Sequence, residues 1–200
     1  ALLSVVLWLW AIRLTANWVY AWPGLHHEDW RYPMLREKNP RVEMAVDLMG
    51  IHVFPTVQVF AAMLPVYAVT RSERAWGWLD LVALVVGVGA VALQLAADTQ
   101  QHRFARTKKP GESLVTGLWA WSRHPNYLGE ILMWFSLLLF GLSALPGAWW
   151  WQVIGVVGMT AMFLGASIPM MEKRSLERRP GYQDVIDSVP MLLPRPPRRS

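Results

Sequence analysis

The chain has 200 residues, of which 54% are hydrophobic and only 16% are charged, a balance outside that of ordinary soluble globular proteins. It contains no cysteine, which excludes a disulfide framework, a thiolate metal site and a Cys nucleophile. The formal net charge is +5, and the basic residues cluster in polar segments between long apolar runs. We therefore predict an all-α polytopic transmembrane helical bundle that forms a single domain over residues 1–200.

Five apolar stretches approach the length of about 20 residues that a helix needs to cross a membrane. They are Ala1 to Trp22, Val46 to Val69, Leu79 to Ala97, Tyr127 to Leu145 and Ala148 to Met171. We expect Pro55 and Pro65 to kink the second span, and Pro146 with Gly147 to close a tight hairpin between the last two. Because the chain begins inside an apolar run without an initiator Met or a signal peptide, we expect further spans upstream.

The distribution of basic residues predicts how the bundle is oriented. Five crossings place sixteen of the nineteen Lys and Arg residues on one side, Arg71 and Arg74 on the other, and Arg13 within the first span. Because basic loops stay in the cytoplasm, that side and the tail over about residues 172–200 are predicted to be cytoplasmic. Topology and contact with anionic membrane lipid account for the net charge, so no nucleic-acid partner is expected. The final PRPPRRS segment is expected to be disordered.

The first polar segment, GLHHEDWRYPMLREKNP, follows the first span. Its chemically capable side chains include those of Glu28, Asp29, Arg31 and Tyr32. A solvated interfacial loop would explain this composition, but the adjoining span is polar too, since Arg13 and Asn17 lie four apart on one helix face. An ionisable residue within a span indicates function and requires an anionic partner, unless Arg13 snorkels to the interface.

The second segment, ALQLAADTQQHRFARTKKPGE, turns from apolar to polar without a helix breaker. Gln94, Asp98 and Gln101 recur at three- and four-residue spacing, which predicts a hydrogen-bonding stripe on one helix face. Amides and a carboxylate suit ribose and carboxamide groups, and guanidinium groups suit phosphate. The basic residues that follow are Arg103, Arg106, Lys108 and Lys109. Positive-inside anchoring explains these cations equally well, so only the polar stripe favours a ligand.

The third segment, SRHPNYLGEILMW, opens the fourth span. Pro125 suits the first position of a helix, and the residue before a proline avoids helical backbone. Asn126 and Glu130 then share one helix face, with Tyr127 in the same turns. A Glu within a span is costly unless it is paired or lines a wet cavity, so we favour a functional role over a structural one.

Three other patterns give weaker indications. The C-terminal EKRSLERRPGYQDVIDSVPMLLP is expected to cap the cytoplasmic end, with its Arg residues and Tyr182 closing over a ligand or anchoring the chain. GVGAVA fits a dinucleotide-binding pattern but lies mid-span without the required acidic residue, so close helix packing explains it better. No paired-His helix motif is present, so no metal site is expected.

Together NWVYAWPGLHHEDWRY, AADTQQHRF, SRHPNYLGE and RRPGY resemble the membrane steroid 5-alpha-reductase family, in its bacterial branch, over about residues 13–193. The resemblance implies an NADPH-dependent reductase of the carbon-carbon double bond of an enone lipid, such as a 4-ene-3-keto steroid that enters from the bilayer. It also implies a bacterial inner membrane protein with a cytoplasmic cofactor site. A shorter Arg-His-Pro-x-Tyr core also occurs in isoprenylcysteine carboxyl methyltransferases, so an S-adenosylmethionine-dependent methyltransferase is the alternative. A non-enzymatic lipid-binding protein is the third possibility.

The resemblance implies roles for individual residues. Asn126 and Glu130 match family positions around the nicotinamide and its amide. The full set of cofactor-binding candidates, from the resemblance and from side-chain chemistry, is Arg13, Asn17, Asp29, Arg31, Gln94, Asp98, Arg103, Arg106, Lys108, Arg123, His124, Asn126, Tyr127, Glu130, Arg174 and Tyr182. In the implied reaction hydride passes to the β-carbon while a hydrogen-bond donor stabilises charge on the ketone oxygen. Protonation of the α-carbon completes the reduction.

The chain also departs from the family pattern. Steroid-reducing members polarise the ketone with a Tyr three residues before the Arg that Arg13 matches, and Trp10 stands at that position here. The acid is therefore unassigned, and the catalytic candidates are Tyr20, Tyr32, Tyr127 and Glu28. Leu176 stands two residues after Arg174, where some members carry a Tyr that contacts the cofactor.

Overall fold

The computed structural model describes residues 1–196, and helices dominate it. In chain order they are α1 (Leu2–Ala21), α2 (Arg31–Lys38), α3 (Glu43–Thr70), α4 (Trp78–Thr107), α5 (Pro125–Ala144), α6 (Pro146–Arg178) and α7 (Tyr182–Ser188). All but α2 and α7 are long and apolar enough to cross a membrane. No β-strand occurs in residues 1–196. The prediction of an all-α membrane protein with five spans is confirmed.

The observed helices differ from the predicted spans chiefly in α4. This helix continues to Thr107, ten residues beyond the predicted end of the span, because no Gly or Pro interrupts the polar segment before Pro110. At its start, the backbone N–H of Gly77 donates to Asp80 Oδ2 at 2.7 Å. Pro125 is the first residue of α5, as predicted. The long polar extension of α4 carries candidate residues beyond the apolar core.

Proline marks the irregular parts of α3. Its first half is π-helical over Val46–Val53, directly before Pro55, and a break at Met63 precedes Pro65. Proline has no N–H to donate to the carbonyl four residues earlier, so the helix loosens at both places. The helix is therefore irregular at both places where kinks were predicted. In α6 a 3-10 turn over Pro146–Ala148 closes the predicted hairpin.

α5 is the most deeply buried span and packs against α3, α4 and α6, whereas α1 packs mainly on α4. The fully buried side chains of α5 include Met133, Trp134, Leu137 and Phe140. Small residues allow close helix contact: a Cβ on Gly87 would lie 2.5 Å from Ser136 Oγ. The GVGAVA segment therefore packs helices together, as expected.

Residues 22–42, 108–124 and 179–196 form one end of the bundle, which we call the polar end. There the segment after α6 folds back onto the connection over residues 108–124. Arg123 N donates to the Pro190 carbonyl at 2.9 Å, and Arg195 N donates to the Trp121 carbonyl at 3.1 Å. The expectation of a disordered PRPPRRS segment is therefore wrong for Arg195, because its backbone is bonded to the 108–124 connection. Residues 197–200 of that segment lie outside the described residues.

Candidate functional site

Three pairs of polar side chains join α1 to α4 in the half of the two helices that is nearer the polar end. The pairs, which we call the polar ladder, are Arg13 with Asp98, Asn17 with His102, and Tyr20 with Arg106. Both helices run toward the polar end, so steps of three to four residues on one match steps of four on the other. The ladder therefore extends from the interior of the bundle to its polar end.

The lower two pairs of the ladder have short, well-formed contacts. Arg13 Nη1 donates to Asp98 Oδ2 at 2.8 Å, and the two side chains are only 9% and 10% exposed. His102 Nε2 lies 2.7 Å from Asn17 Oδ1. Arg13 thus has the anionic partner that its place within a span requires, and it does not need to snorkel.

The upper pair links Tyr20 and Arg106 at the polar end. Arg106 Nη2 donates a hydrogen bond to the Tyr20 hydroxyl oxygen, and the guanidinium also lies over the phenol ring. The Tyr20 ring packs against the His102 ring with centroids 4.6 Å apart. The upper two pairs of the ladder are thus in contact with each other.

Glu130 on α5 lies at the buried foot of the ladder. Its Oε2 accepts from Gln94 Nε2 at 2.8 Å and from Arg13 Nη2 at 3.4 Å, and its Oε1 accepts from Trp10 and Trp134 at 3.1 Å each. Four donors compensate for removing this carboxylate from water. Two carboxylates, those of Asp98 and Glu130, share the single guanidinium of Arg13, so the trio favours a positively charged neighbour.

A cavity of about 620 Å³ runs beside the ladder between α1 and α4. Its lining includes all six ladder residues together with Arg103 and Thr99. The remaining wall is apolar and is formed by Leu9, Ile12, Ala16, Val91 and Leu95. The cavity therefore offers an apolar chamber with a polar wall that becomes basic toward the polar end.

The structure brings together only part of the predicted site. Arg13, Asn17, Tyr20, Asp98, Arg103 and Arg106 line the cavity, with Gln94 and Glu130 directly behind its wall. Gln101 does not join the stripe of Gln94 and Asp98, because it faces a separate pocket of about 110 Å³. That pocket also contains Lys108, Arg123 and Tyr182. Burial raises the pKa of the Tyr182 hydroxyl there.

The first polar segment forms another cavity of about 500 Å³, which Glu28, Asp29 and Tyr32 line with His26 and His27. Arg31 Nε donates to Asp29 at 2.8 Å, and this hydrogen bond lowers the pKa of the Asp29 carboxyl. Glu28 Oε1 lies 2.8 Å from Arg36 Nη2. Its carboxylates therefore pair within the segment and not with the ladder.

The residues around Pro125 hold the C-terminal segment. Arg123 Nε donates to Glu172 Oε1 at 2.7 Å, its Nη1 donates to the Ile186 and Val189 carbonyls, and His124 Nε2 lies 2.9 Å from the same Glu172 oxygen. The recorded partners of Arg123 and His124 are thus internal to the fold. Their cofactor contacts remain a prediction.

The other candidates lie against aromatic rings or the backbone. The Tyr127 ring packs between His124 and Phe163. The Arg174 guanidinium lies 3.8 Å from the centroid of Trp30. The side chain of Asn126 accepts from the Tyr127 backbone N–H at 3.1 Å. The contacts of Tyr127 and Arg174 do not reach the ladder, whereas the side chain of Asn126 also lies beside the Asp98 carboxylate.

The sequence interpretation missed His102. It stands four residues after Asp98, which places it on the same helix face, but it lies within a basic run that membrane anchoring also explained. Its spacing from Asp98 was the signal that could have identified it. In the described part of the chain, no group of three or more His, Asp and Glu side chains lies close enough to hold a metal ion.

Comparison with known proteins identifies relatives without a known activity. A family model described as "Protein of unknown function (DUF1295)" matches residues 1–189. The uncharacterized protein C594.04c of Schizosaccharomyces pombe is 31% identical over 211 residues, which cover 94% of this chain and 61% of that protein. The chain therefore spans about three-fifths of the length of that relative. No solved structure matches the chain significantly.

Proposed function

This chain belongs to the DUF1295 family, and on that premise we propose that it is an NADPH-dependent membrane reductase of enone lipids. The observation that carries the proposal is the polar ladder, which joins a buried carboxylate cluster to the basic polar end along one wall of an apolar cavity. A water-soluble electron donor and an apolar acceptor can meet only at such a boundary. The motif resemblance to the steroid 5-alpha-reductase family points to the same chemistry.

The foot of the ladder suits the nicotinamide end of the cofactor. Arg13 Nε and Gln94 Oε1 are buried and have no hydrogen-bond partner within residues 1–196, although both side chains also bind Glu130 Oε2. A carboxamide carries one acceptor and one donor group, which complement this unpaired donor and acceptor. The surplus carboxylate of the trio with Asp98 also stabilises positive charge that develops on a neighbouring ring.

The polar end suits the phosphates of the cofactor. Arg103 and Arg106 line the cavity near the end of α4, and the helix rises about 12 Å between Asp98 and Arg106 at roughly 1.5 Å per residue. Carboxamide and phosphate contacts are therefore separated along one helix, as an extended dinucleotide requires. NADPH, when bound, supplies the hydride that is added to the β-carbon.

Tyr20 is the ketone-polarising donor that the geometry supports best. Its hydroxyl oxygen accepts from Arg106, so its own hydrogen is left to donate to a substrate ketone in the cavity. Tyr32 lines the separate cavity of the first polar segment. Tyr127 packs between two rings away from the ladder. Of the three tyrosines, Tyr20 alone lines the cavity beside the ladder.

The proposal includes a sidedness and a substrate class. NADPH is cytosolic, so in this proposal the polar end faces the cytoplasm. The apolar wall of Ile12 and Leu95 suits a steroid-like enone, and both side chains are more than one-third exposed, as expected of a face that meets lipid. Such a substrate would enter from the membrane.

Enone-dependent oxidation of NADPH by the purified protein in detergent tests the proposal. We expect Glu130→Gln to weaken NADPH binding and reduce turnover at least tenfold, because it removes the charge that Arg13 and Gln94 hold in place. Glu37→Gln on α2 is the matched control, since its side chain is exposed, and it should behave as the wild type. An unchanged Glu130→Gln variant would contradict the site. Binding of S-adenosylmethionine without NADPH would contradict the reductase and favour a methyltransferase.

A further inference from the structure

We propose that His102 is the proton donor of this site, and this inference rests on the proposed reduction of an enone. The reaction needs two protein groups besides the cofactor: one that polarises the ketone and one that gives a proton to the α-carbon. Tyr20 supplies the first through a hydrogen bond that leaves its proton in place. His102 supplies the second; it lies within the AADTQQHRF motif, but the resemblance gives this residue no role.

Asn17 fixes which ring nitrogen of His102 carries the exchangeable proton. The amide oxygen Oδ1 of Asn17 lies 2.7 Å from His102 Nε2 and can only accept, so Nε2 holds its hydrogen in both charge states. The other nitrogen, Nδ1, then gains and loses the proton. The Tyr20 ring, with its centroid 4.6 Å away, limits the rotation of the imidazole. Asn17 is therefore a positioning residue for His102.

The surroundings of His102 combine access to the cavity with access to water. From α1, Arg13 and Tyr20 line the cavity beside it, and from α4 itself Asp98, Arg103 and Arg106 do so. His102 is half-buried, whereas Asp98 one turn deeper is buried and already paired with Arg13. Arginine does not release its proton in proteins. Of the ladder side chains, the imidazole is the one that can both hold and release a proton at a ring nitrogen facing the cavity region.

The proton and electron balance of the step is complete. Addition of hydride at the β-carbon moves the π electrons toward the ketone oxygen, where the Tyr20 hydrogen bond stabilises the enolate. The enolate electron pair then forms a C–H bond at the α-carbon with the proton of imidazolium Nδ1, and His102 becomes neutral. Water at the polar end restores that proton. The sum is enone, NADPH and one proton giving saturated ketone and NADP⁺.

His102→Gln tests this role, because glutamine keeps a donor for Asn17 and cannot titrate. We expect enone reduction to fall about 100-fold, the usual contribution of a general acid, while NADPH affinity, measured by fluorescence, changes less than about twofold. The wild-type rate should fall as pH rises through loss of the imidazolium proton, and the variant should lack this limb.

Two further variants keep the result interpretable. His26→Gln changes an exposed histidine of the other cavity and should leave rate and pH profile unchanged. His102→Ala should regain part of its rate with added imidazole, which restores a proton donor but not a fold. A His102→Gln variant with the wild-type rate and pH profile would overturn the role of His102 alone. A wild-type protein without enone-dependent NADPH oxidation would overturn the proposed function and this inference with it.

Discussion

Trp10 on α1 donates a hydrogen bond from its indole Nε1 to Glu130 Oε1 on α5, across 3.1 Å. Trp10 stands where steroid-reducing members of the resembled family carry a ketone-polarising Tyr. Because its only N–H is directed at Glu130, the indole is engaged inside the fold and is not available to a substrate. The residue that departs from the family pattern thus holds the foot of the ladder, and in the proposed reaction Tyr20 is the residue that polarises the ketone.

Trp10→Phe should destabilise the protein by about 1–3 kcal/mol, because Glu130 loses a donor to a charged acceptor in a largely buried place. The edge-to-face contact of Trp10 with Trp134, with centroids 5.3 Å apart, is largely kept by the Phe ring. Trp8→Phe on the same helix is the control, since Trp8 is 69% exposed. Equal thermal unfolding of the two variants in detergent would show that the hydrogen bond contributes no stability.

Gly129→Ala should separate α4 from α5 at the level of Glu130. A Cβ there would lie 2.5 Å from Gln94 Cγ and 2.9 Å from the Ala90 carbonyl oxygen, and the backbone atom cannot move aside alone. We expect a loss of about 1–3 kcal/mol of stability and weaker NADPH binding. Gly158→Ala should instead stabilise the protein. No atom lies within 4 Å of the added Cβ, and alanine favours helix over glycine by up to about 1 kcal/mol. Parallel unfolding curves decide between these expectations.

Part of this arrangement follows from the sequence and part does not. Length and apolarity predict the five spans, and the rarity of ionisable residues within spans identifies Arg13 and Glu130. Helical periodicity did not predict the position of Gln101 correctly. Gln101 lies three residues after Asp98 and His102 lies four after it, so both are near the same helix face. Only the packing of α4 against α1 selects His102. Sequence also grouped Arg123 with the ligand contacts, whereas its recorded bonds hold the C-terminal segment. Pairings between distant segments depend on the three-dimensional packing.

A double-mutant cycle on Arg13 and Asp98 should reveal strong coupling. Arg13→Met leaves the buried Asp98 carboxylate without its partner at 2.8 Å and should cost about 3–5 kcal/mol. Asp98→Asn should cost less, because Arg13 keeps Glu130 at 3.4 Å. The double variant should cost less than the sum of the single ones, with an interaction energy of at least about 1 kcal/mol. Additive losses in chemical unfolding would mean that the two charges do not stabilise each other.

Arg123→Gln should release the segment that follows α6. The guanidinium joins Glu172 to the carbonyls of Ile186 and Val189, and its side chain is only 8% exposed. Glutamine is shorter than arginine and uncharged, so it cannot donate to all three acceptors. Glu172 then keeps only the contact with His124 at 2.9 Å within the described residues. We expect residues 182–195 to exchange their amide hydrogens at least tenfold faster, with little change in the exchange of α5.

The control for this release is Arg178→Gln at the end of α6, whose side chain is exposed. It removes the same charge from the polar end, so faster exchange in both variants would indicate a general effect of charge and not the loss of the Arg123 contacts. Unchanged exchange in Arg123→Gln would show that backbone bonds, such as that from Arg195 N to the Trp121 carbonyl, hold the segment alone. If the expected release is seen with NADPH affinity preserved, Arg123 acts on the fold and not on the cofactor.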